Sequence, residues 1–224
     1  MAVNKEIFFN LKSAFGDSVK LVAVSKTKSV ADIMELYDLG QRDFGENYVQ
    51  ELVDKYEALP KDIQWHFIGH LQSNKVKYIA PFITLIHGVD SFKLLQEISK
   101  QSEKNNRNIN CLLQVHIAKE ETKFGLSEEE LQELFSKAKE LENFKNITIV
   151  GLMGMASFTD DMEKVRNEFK YLRSLYDKYS KFNILHSTFN TLSMGMSADY
   201  KIAIEEGSNM VRIGSLIFGE RNYH

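Results

Sequence analysis

The chain has 224 residues, of which 43% are hydrophobic and 26% are charged, a composition typical of a globular protein with a large core. Its net charge is −3, with acidic and basic residues interspersed, which gives no electrostatic case for binding nucleic acid or an acidic membrane surface. No stretch approaches the ~18 apolar residues of a membrane-spanning helix, and the N-terminus lacks the apolar segment of a signal peptide. Cys111 is the one cysteine and fits a reducing compartment. We expect a cytoplasmic, monomeric protein with one domain, residues 1–224.

The first half of the chain alternates between helical and extended patterns. Helical spacing from Ile7 to Phe15 predicts an opening helix, and the apolar run that ends in Lys26 predicts the first buried strand. Ser29 is placed to cap the next helix, which the pattern ends near Gly40. The elements that follow are a strand at 43–45, a helix at 46–52, a strand at 64–69, a short helix to Ala80, a strand at 84–89 and a helix that starts at 90–91.

The second half continues the alternation. The polar segment from Lys100 to Asn108 predicts a loop, and Ser127 is placed to cap an amphipathic helix whose buried stripe reaches Leu141. The other elements are strands at 109–117, 147–153, 189–194 and 210–213, a helix through 165–176, a helix capped by Ser197 that ends at Gly207, and a closing turn at 216–218. Eight strands, each followed by a helical segment, favour the α/β class and a single (β/α)8 TIM barrel. The competing fold, a doubly wound sheet, would normally have a glycine-rich first turn, whereas residues 25–28 contain no glycine.

Side chains that can bind a ligand or take part in catalysis stand at the predicted carboxyl ends of the strands, where a barrel places its active site. Val22, Val24 and Lys26 share one face of the first strand, so Lys26 lies at the mouth of the apolar interior. A lysine there needs a partner or a lowered pKa, unless it extends to solvent. Lys28 follows two residues later and can share that face, so the pattern leaves both lysines open. We expect His66 and His87 to be hydrogen-bonded core residues, and we find no metal-ligand spacing.

The last strand points to a phosphate site. Gly214 and Ser215 stand where a short helical turn begins, and free N–H groups with a hydroxyl can hold a phosphate. Phosphate sites in barrels recur after strands 7 and 8, here Ser193 to Ser197 and Gly214-Ser215. The alternative is that Gly214 permits a tight turn that Ser215 caps. A phosphate site together with a lysine suggests a ligand with a phosphate and an aldehyde. Pyridoxal 5′-phosphate is such a ligand, and a lysine holds it as a Schiff base.

Six blocks of sequence closely resemble the pyridoxal phosphate homeostasis protein family, in family order over nearly the whole chain. They are AVSKTK at 23–28, FGENYVQE at 44–51, WHFIG at 65–69, LQSNK at 71–75, LSMGMS at 192–197 and VRIGS at 211–215. The resemblance implies a barrel like the alanine racemase N-terminal domain, with Lys26 as the Schiff-base lysine and Arg212 near the pyridine nitrogen. It places Asn47 near the cofactor, and around the phosphate it places Ser193, Ser197, Gly214 and Ser215. His70 and Ala198 stand where some members carry proline and aspartate, and we expect neither position to be central to the cofactor.

The role implied for Arg212 limits the expected activity. A guanidinium keeps its proton, so a pyridine nitrogen that accepts from it stays unprotonated and the ring becomes a weak electron sink. Alanine racemase resembles this arrangement but uses a catalytic tyrosine from a second, β-rich domain, which we do not find up to His224. We therefore expect a protein that holds and delivers pyridoxal phosphate without efficient catalysis and without catalytic residues. Its partners would be the cofactor and, transiently, apo forms of pyridoxal phosphate enzymes, with neither nucleic acid nor membrane.

Two other functions stay open at the level of sequence. One is a weak racemase-type enzyme that uses Lys26 with Tyr48 or His66 as proton carriers. The other is a phosphate-binding barrel that forms no Schiff base. The sequence does not decide whether Lys75 or Lys123 takes part in passing the cofactor on.

Overall fold

The strands close into one parallel barrel in a computed structural model that describes residues 3–118, 124–141, 143–182 and 189–219. Each strand pairs with its neighbours in sequence, and the last pairs with the first, Val22 lying opposite Arg212. The strands are β1 (Lys20–Val24), β2 (Asp43–Glu46), β3 (Gln64–Phe67), β4 (Leu85–Val89), β5 (Ile109–Val115), β6 (Ile147–Gly154), β7 (Thr191–Ser193) and β8 (Met210–Ile213). The predicted (β/α)8 barrel is confirmed, and the open sheet is excluded.

The helices surround the barrel. They are α1 (Lys5–Phe15), α2 (Val30–Asp38), α3 (Val49–Ala58), α4 (Val76–Ile79), α5 (Phe92–Lys104), α6 (Glu128–Ser136), α7 (Ala138–Leu141), α8 (Met162–Tyr179), α9 (Tyr200–Glu205) and α10 (Ser215–Phe218), with a 3-10 turn at Ser73–Lys75. The predicted cap of α2 is present, since Ser29 and Asp32 form both hydrogen bonds of a capping box. None of the helices within the described ranges has the length and apolar content needed to span a bilayer.

Some predicted helix boundaries are wrong. The helix expected from Glu46 begins at Val49, because Glu46 is the last residue of β2 and is buried beside α3. The loop expected from Lys100 begins with the last turn of α5, where the buried residues Gln101 and Ser102 are polar rather than apolar. The helix expected to run from Ser127 to Leu141 is interrupted at Lys137, the C-cap of α6.

Ser197 does not cap the helix before β8. That helix, α9, begins at Tyr200 with Asp199 at its N-cap position, and Ser197 lies two residues further upstream. The Ser197 hydroxyl instead accepts a hydrogen bond from the Gly214 N–H at 3.4 Å. Ser197 therefore contacts the residue that follows β8, where the phosphate site was expected, and takes no part in a helix cap.

Apolar side chains fill two spaces, one between the strands and helices and one inside the barrel. Phe44 and Trp65 belong to the outer layer. A separate inner cluster contains Val22, Leu85, Leu112, Met153 and Met210. Buried polar side chains also occur on the strands, and the chemistry of the barrel depends on them.

Candidate functional site

A cavity of about 720 Å³ opens beside the carboxyl ends of β1, β2, β6, β7 and β8. Of the seven residues that the sequence proposes for the site, six line this cavity: Lys26, Asn47, Ser197, Arg212, Gly214 and Ser215. Ser193 does not line it; its side chain is fully buried and contacts Arg212. The residues proposed from the sequence thus come from distant parts of the chain, and the fold brings six of them to one cavity.

The backbone on both sides of Lys26 is held by side chains of α3. The Ser25 carbonyl accepts a hydrogen bond from the Lys55 ammonium at 2.7 Å. The Thr27 N–H donates to Glu51 at 2.5 Å, and Thr27 has φ 64°, a left-handed conformation that is uncommon outside glycine. These contacts fix the direction in which the chain leaves β1 at Lys26.

A buried ionic cluster provides these contacts. Lys55 donates to one carboxylate oxygen of Glu46 and to Glu51, both at 2.7 Å, and the Ser25 hydroxyl donates to the same Glu46 oxygen at 2.6 Å. Among the described residues, the other Glu46 oxygen has no hydrogen-bond partner. Burial raises the pKa of Glu46, although Lys55 opposes this. Because charged side chains usually face solvent, sequence reasoning missed this cluster.

Lys28 joins the first loop to the end of α10. Its ammonium donates to the carbonyl oxygens of Phe218 at 2.9 Å and Gly219 at 3.3 Å. Lys28 also lines the cavity, as Lys26 does. Lys28 therefore has a structural contact at the carboxyl end of α10.

The amino end of α10 forms the corner in which the sequence predicts a phosphate. The Gly214 backbone packs closely against β1, since a Cβ there would lie 3.0 Å from the Val24 carbonyl oxygen. The first N–H groups of a helical turn have no carbonyl partner within it. With the hydroxyls of Ser197 and Ser215, they form a neutral set of hydrogen-bonding groups that can hold an oxyanion.

Arg212 lies in the floor of the cavity and is held by β6 and β7. One terminal nitrogen donates to the Ser193 carbonyl at 3.0 Å and to its hydroxyl at 2.7 Å, and the other donates to the Gly154 carbonyl at 3.0 Å. Burial lowers the pKa of Arg212 to about 10, so it remains a cation at neutral pH. A buried cation in a fixed orientation can donate to an acceptor in the cavity.

Asn47 adds a polar group that the fold leaves unsatisfied. Its side-chain oxygen is buried and has no hydrogen-bond partner in the described part of the chain. Buried polar atoms are nearly always paired. An orphaned oxygen at the cavity wall therefore indicates that a ligand or ordered water completes it.

The cavity wall after β6 is fixed by a contact that the sequence analysis did not anticipate. Glu168 of α8 is buried and accepts from the Ser157 N–H at 2.6 Å and from its hydroxyl at 2.7 Å. This bidentate contact anchors the segment that carries Met155 and Asp160 to the cavity. Glu168 stands in a charged helix, where an acidic residue usually indicates solvent exposure, so its sequence carries no signal of this role.

Tyr48 and His66, the proton carriers proposed beside Lys26, do not line the cavity. His66 and His87 are buried and hydrogen-bonded to each other at 2.9 Å, as expected of core histidines. Burial lowers the pKa of both imidazoles. Tyr48 is 61% exposed, and neither it nor His66 belongs to the lining.

Other candidate residues lie elsewhere. Lys75 is exposed in the 3-10 turn, near the Tyr78 ring. Lys123 lies outside the described residues. Within the described ranges, no group of three or more His, Cys, Asp or Glu side chains is arranged to hold a metal ion.

Comparison of the sequence with known proteins identifies its relatives. The family described as "Alanine racemase, N-terminal domain" matches residues 8–222. A pyridoxal phosphate homeostasis protein of Aquifex aeolicus is 46% identical over 206 residues, which cover 91% of this chain and 88% of that protein. A protein of the same name from Haemophilus influenzae is 40% identical over 210 residues, covering 92% and 87%.

Solved structures give the same result. PipY of Synechococcus elongatus PCC7942, solved with PLP bound, superposes with a TM-score of 0.85 at 33% identity, covering 96% of this chain and 99% of PipY. PipY without PLP gives a TM-score of 0.88 at 32% identity, with the same coverage. Alanine racemase from Bartonella henselae shares the fold at 17% identity and a TM-score of 0.66; the match covers 93% of this chain and 56% of the racemase.

Proposed function

Because the chain belongs to the alanine racemase N-terminal domain family, and within it to the pyridoxal phosphate homeostasis proteins, we propose that it binds pyridoxal 5′-phosphate and acts in the homeostasis of this cofactor. The observation that carries the proposal is the meeting of an amine, a buried cation and a neutral oxyanion corner in one cavity, from Lys26, Arg212 and Ser215. These groups complement the aldehyde, the pyridine nitrogen and the phosphate respectively. The unpaired oxygen of Asn47 fits a site that a ligand completes.

Each side chain has a distinct part in this proposal. Lys26 supplies the amine that forms a C=N bond with the aldehyde carbon and releases one water; the aldehyde supplies the electrophile. Arg212 donates to the pyridine nitrogen. Ser197, Gly214 and Ser215 hold the phosphate, and Lys28 keeps α10 in place from its other end. Since the Ser193 hydroxyl contacts Arg212 and His87, we propose that it supports Arg212 and does not contact the phosphate itself.

We propose that binding is not accompanied by efficient turnover. Arg212 remains protonated and so does not protonate the pyridine ring, which weakens the ring as an electron sink. A racemase-type reaction also needs proton carriers on both faces of the substrate carbon. Tyr48 and His66, the side chains that the sequence nominates beside Lys26, do not line the cavity.

The further parts of the proposal concern the whole protein. We propose that it is a single-domain monomer of the cytoplasm that hands the cofactor transiently to apo-enzymes. Gel filtration with light scattering tests the monomer. Transfer is tested by mixing the loaded protein with an apo-enzyme and following recovery of that enzyme's activity against free cofactor at the same concentration.

Two measurements test binding and catalysis separately. Titration of the apoprotein with pyridoxal phosphate should produce visible absorption with one equivalent bound. The loaded protein should then leave single enantiomers of amino acids unchanged in deuterated water, because exchange of the α-proton requires catalysis. Steady deuterium incorporation over many turnovers, lost in Lys26→Ala, would instead support the racemase-type enzyme.

A further inference from the structure

A column of hydrogen bonds crosses the interior of the barrel and ends on Arg212. It starts at Asp43, at the amino end of β2, and passes to His66 (3.0 Å), from there to His87 (2.9 Å) and on to Ser193 (3.2 Å). The Ser193 hydroxyl then meets Arg212 at 2.7 Å. We call these five residues the interior column. They come from β2, β3, β4, β7 and β8.

The chemistry of its two ends gives the column a single direction. Arg212 can only donate, so the Ser193 oxygen accepts from it, and the Ser193 proton points to Nδ1 of His87. With Nδ1 as acceptor, a neutral His87 carries its proton on Nε2 and donates to Nδ1 of His66. His66 then carries its own proton on Nε2 and donates to Asp43. Arg212, Ser193, His87 and His66 each donate to the next group along the column, and Asp43 accepts at its end.

The surroundings keep both imidazoles neutral. His66 is 2% and His87 0% exposed, and burial holds the pKa of each below its ordinary value. The neighbouring interior side chains of β1, β4, β5, β6 and β8 are the apolar inner cluster. At the far end burial alone would raise the pKa of Asp43, but the hydrogen bond from His66 and the charge of Lys20, 3.1 Å away, hold it below its ordinary value.

Arg212 needs such support because it is a buried charge. Asp199, which also lines the cavity, acts on Arg212 through its charge, but burial has the larger effect on the pKa of Arg212. The hydrogen-bond partners of Arg212 are the carbonyls of Ser193 and Gly154 and the Ser193 hydroxyl. In each hydrogen bond of the column, the accepting atom faces the Arg212 end. The last acceptor is the ionised carboxylate of Asp43. Aligned dipoles of this kind stabilise a buried cation, here in addition to the charge of Asp199.

We propose that Asp43, His66 and His87 are positioning residues for the cofactor, which act through Ser193 to fix the orientation of the Arg212 guanidinium and to offset its charge. The proposal deepens the proposed function, since it rests on the assignment of Arg212 to the pyridine nitrogen. The column extends the site from the cavity to the amino end of the barrel. It also gives a role to the two buried histidines.

The first test uses the apoprotein and does not depend on the cofactor. Long-range 1H–15N spectra distinguish the two neutral tautomers of histidine and the imidazolium. We expect His66 and His87, assigned through His66→Gln and His87→Gln, both to be neutral with the proton on Nε2 at neutral pH. A proton on Nδ1 of either ring, or an imidazolium, would overturn the proposed direction of the column.

The second test breaks the column beneath Arg212. His87→Leu leaves the proton of the Ser193 hydroxyl without an acceptor and Nδ1 of His66 without a donor. We expect about tenfold weaker binding of pyridoxal phosphate, the size expected for an unsatisfied buried group, and a shift in the visible absorption of the loaded protein. His87→Asn should recover part of both, because its carboxamide oxygen can accept from Ser193 near the position of Nδ1.

Leu112→Ala is the matched control, because Leu112 belongs to the inner cluster but not to the interior column. It should lower the melting temperature and leave affinity and absorption unchanged. Unchanged affinity and absorption in folded His87→Leu would overturn the proposal. If His87→Leu does not fold, Asp43→Asn removes the terminal charge and should change the absorption in the same direction. A wild-type protein that does not bind the cofactor would refute the proposed function and leave the tautomer result intact.

Discussion

The Lys55 ammonium donates a hydrogen bond of 2.7 Å to the carbonyl oxygen of Ser25, the residue immediately before Lys26. The same ammonium contacts Glu46 and Glu51, and Glu51 accepts from the Thr27 N–H on the other side of Lys26. One buried cation thus links α3 to the backbone on both sides of the proposed nucleophile. This arrangement positions Lys26 without contacting the cofactor cavity.

Lys55→Met should destabilise the protein and weaken cofactor binding. The variant leaves the Glu46 carboxylate buried without its cation, and breaking a buried pair in this way costs about 3 kcal/mol. Urea unfolding of the apoprotein measures the loss. Lys12→Met, at an exposed position of α1, is the control and should change the unfolding free energy by less than about 0.5 kcal/mol. An unchanged unfolding free energy in Lys55→Met would show that the buried cluster has no structural role.

The loss in Lys55→Met should depend on pH. Burial already raises the pKa of Glu46 above its ordinary value of 4.5, and removal of Lys55 raises this pKa further. A carboxyl whose pKa is raised on folding binds its proton more tightly in the folded state, so stability falls as the pH rises above the unfolded pKa. The difference from wild type should therefore be largest near neutral pH and should shrink towards about pH 5. A difference that grows as the pH falls would contradict this assignment to Glu46.

Glu168→Gln should loosen the cavity wall after β6. A carboxamide oxygen can accept from the Ser157 N–H, but the NH2 group then faces the Ser157 hydroxyl, whose proton loses its acceptor. We expect a stability loss of about 1–3 kcal/mol and weaker binding of pyridoxal phosphate, measured by thermal unfolding and by titration. Glu163→Gln, exposed on the same helix, is the matched control. Equal effects of the two substitutions would show that the Ser157 contact does not shape the cavity.

Lys28→Met should weaken binding and preserve the visible absorption of the loaded protein. Its ammonium holds the carbonyls at the end of α10, whose other end forms the proposed phosphate corner. Loss of these hydrogen bonds to a charged group should cost about 2 kcal/mol, seen mainly as faster release of cofactor. If Lys28→Met instead abolishes the absorption while the protein stays folded, Lys28 is the reactive lysine.

Most of the fold could be predicted because its signals are local. Apolar runs such as 21–24 and 210–213 indicate strands without reference to distant residues. Ser29 and Asp32 form the helix cap that their spacing predicts. The lining by Lys26 and Ser215 followed from the rule that parallel barrels gather residues at the carboxyl ends of their strands. Arg212 and Asn47 were named from the family resemblance.

What could not be predicted depends on contacts between distant residues. Glu46 seemed to start a helix, since nothing near it in sequence indicates burial against Lys55. His87 and Ser193 are 106 residues apart, and only the closed barrel brings them together. Charged and polar side chains gave the errors because their burial depends on whether a partner reaches them in the folded state.

Borohydride reduction of the loaded protein followed by peptide mapping tests the central claim most directly. Reduction turns a lysine–cofactor C=N bond into a stable amine, which marks the lysine that formed it. We predict one pyridoxyl group per chain, located on Lys26, and none on Lys26→Ala treated in the same way. A label on Lys28, or a folded wild-type protein that takes up no label at all, would contradict the account.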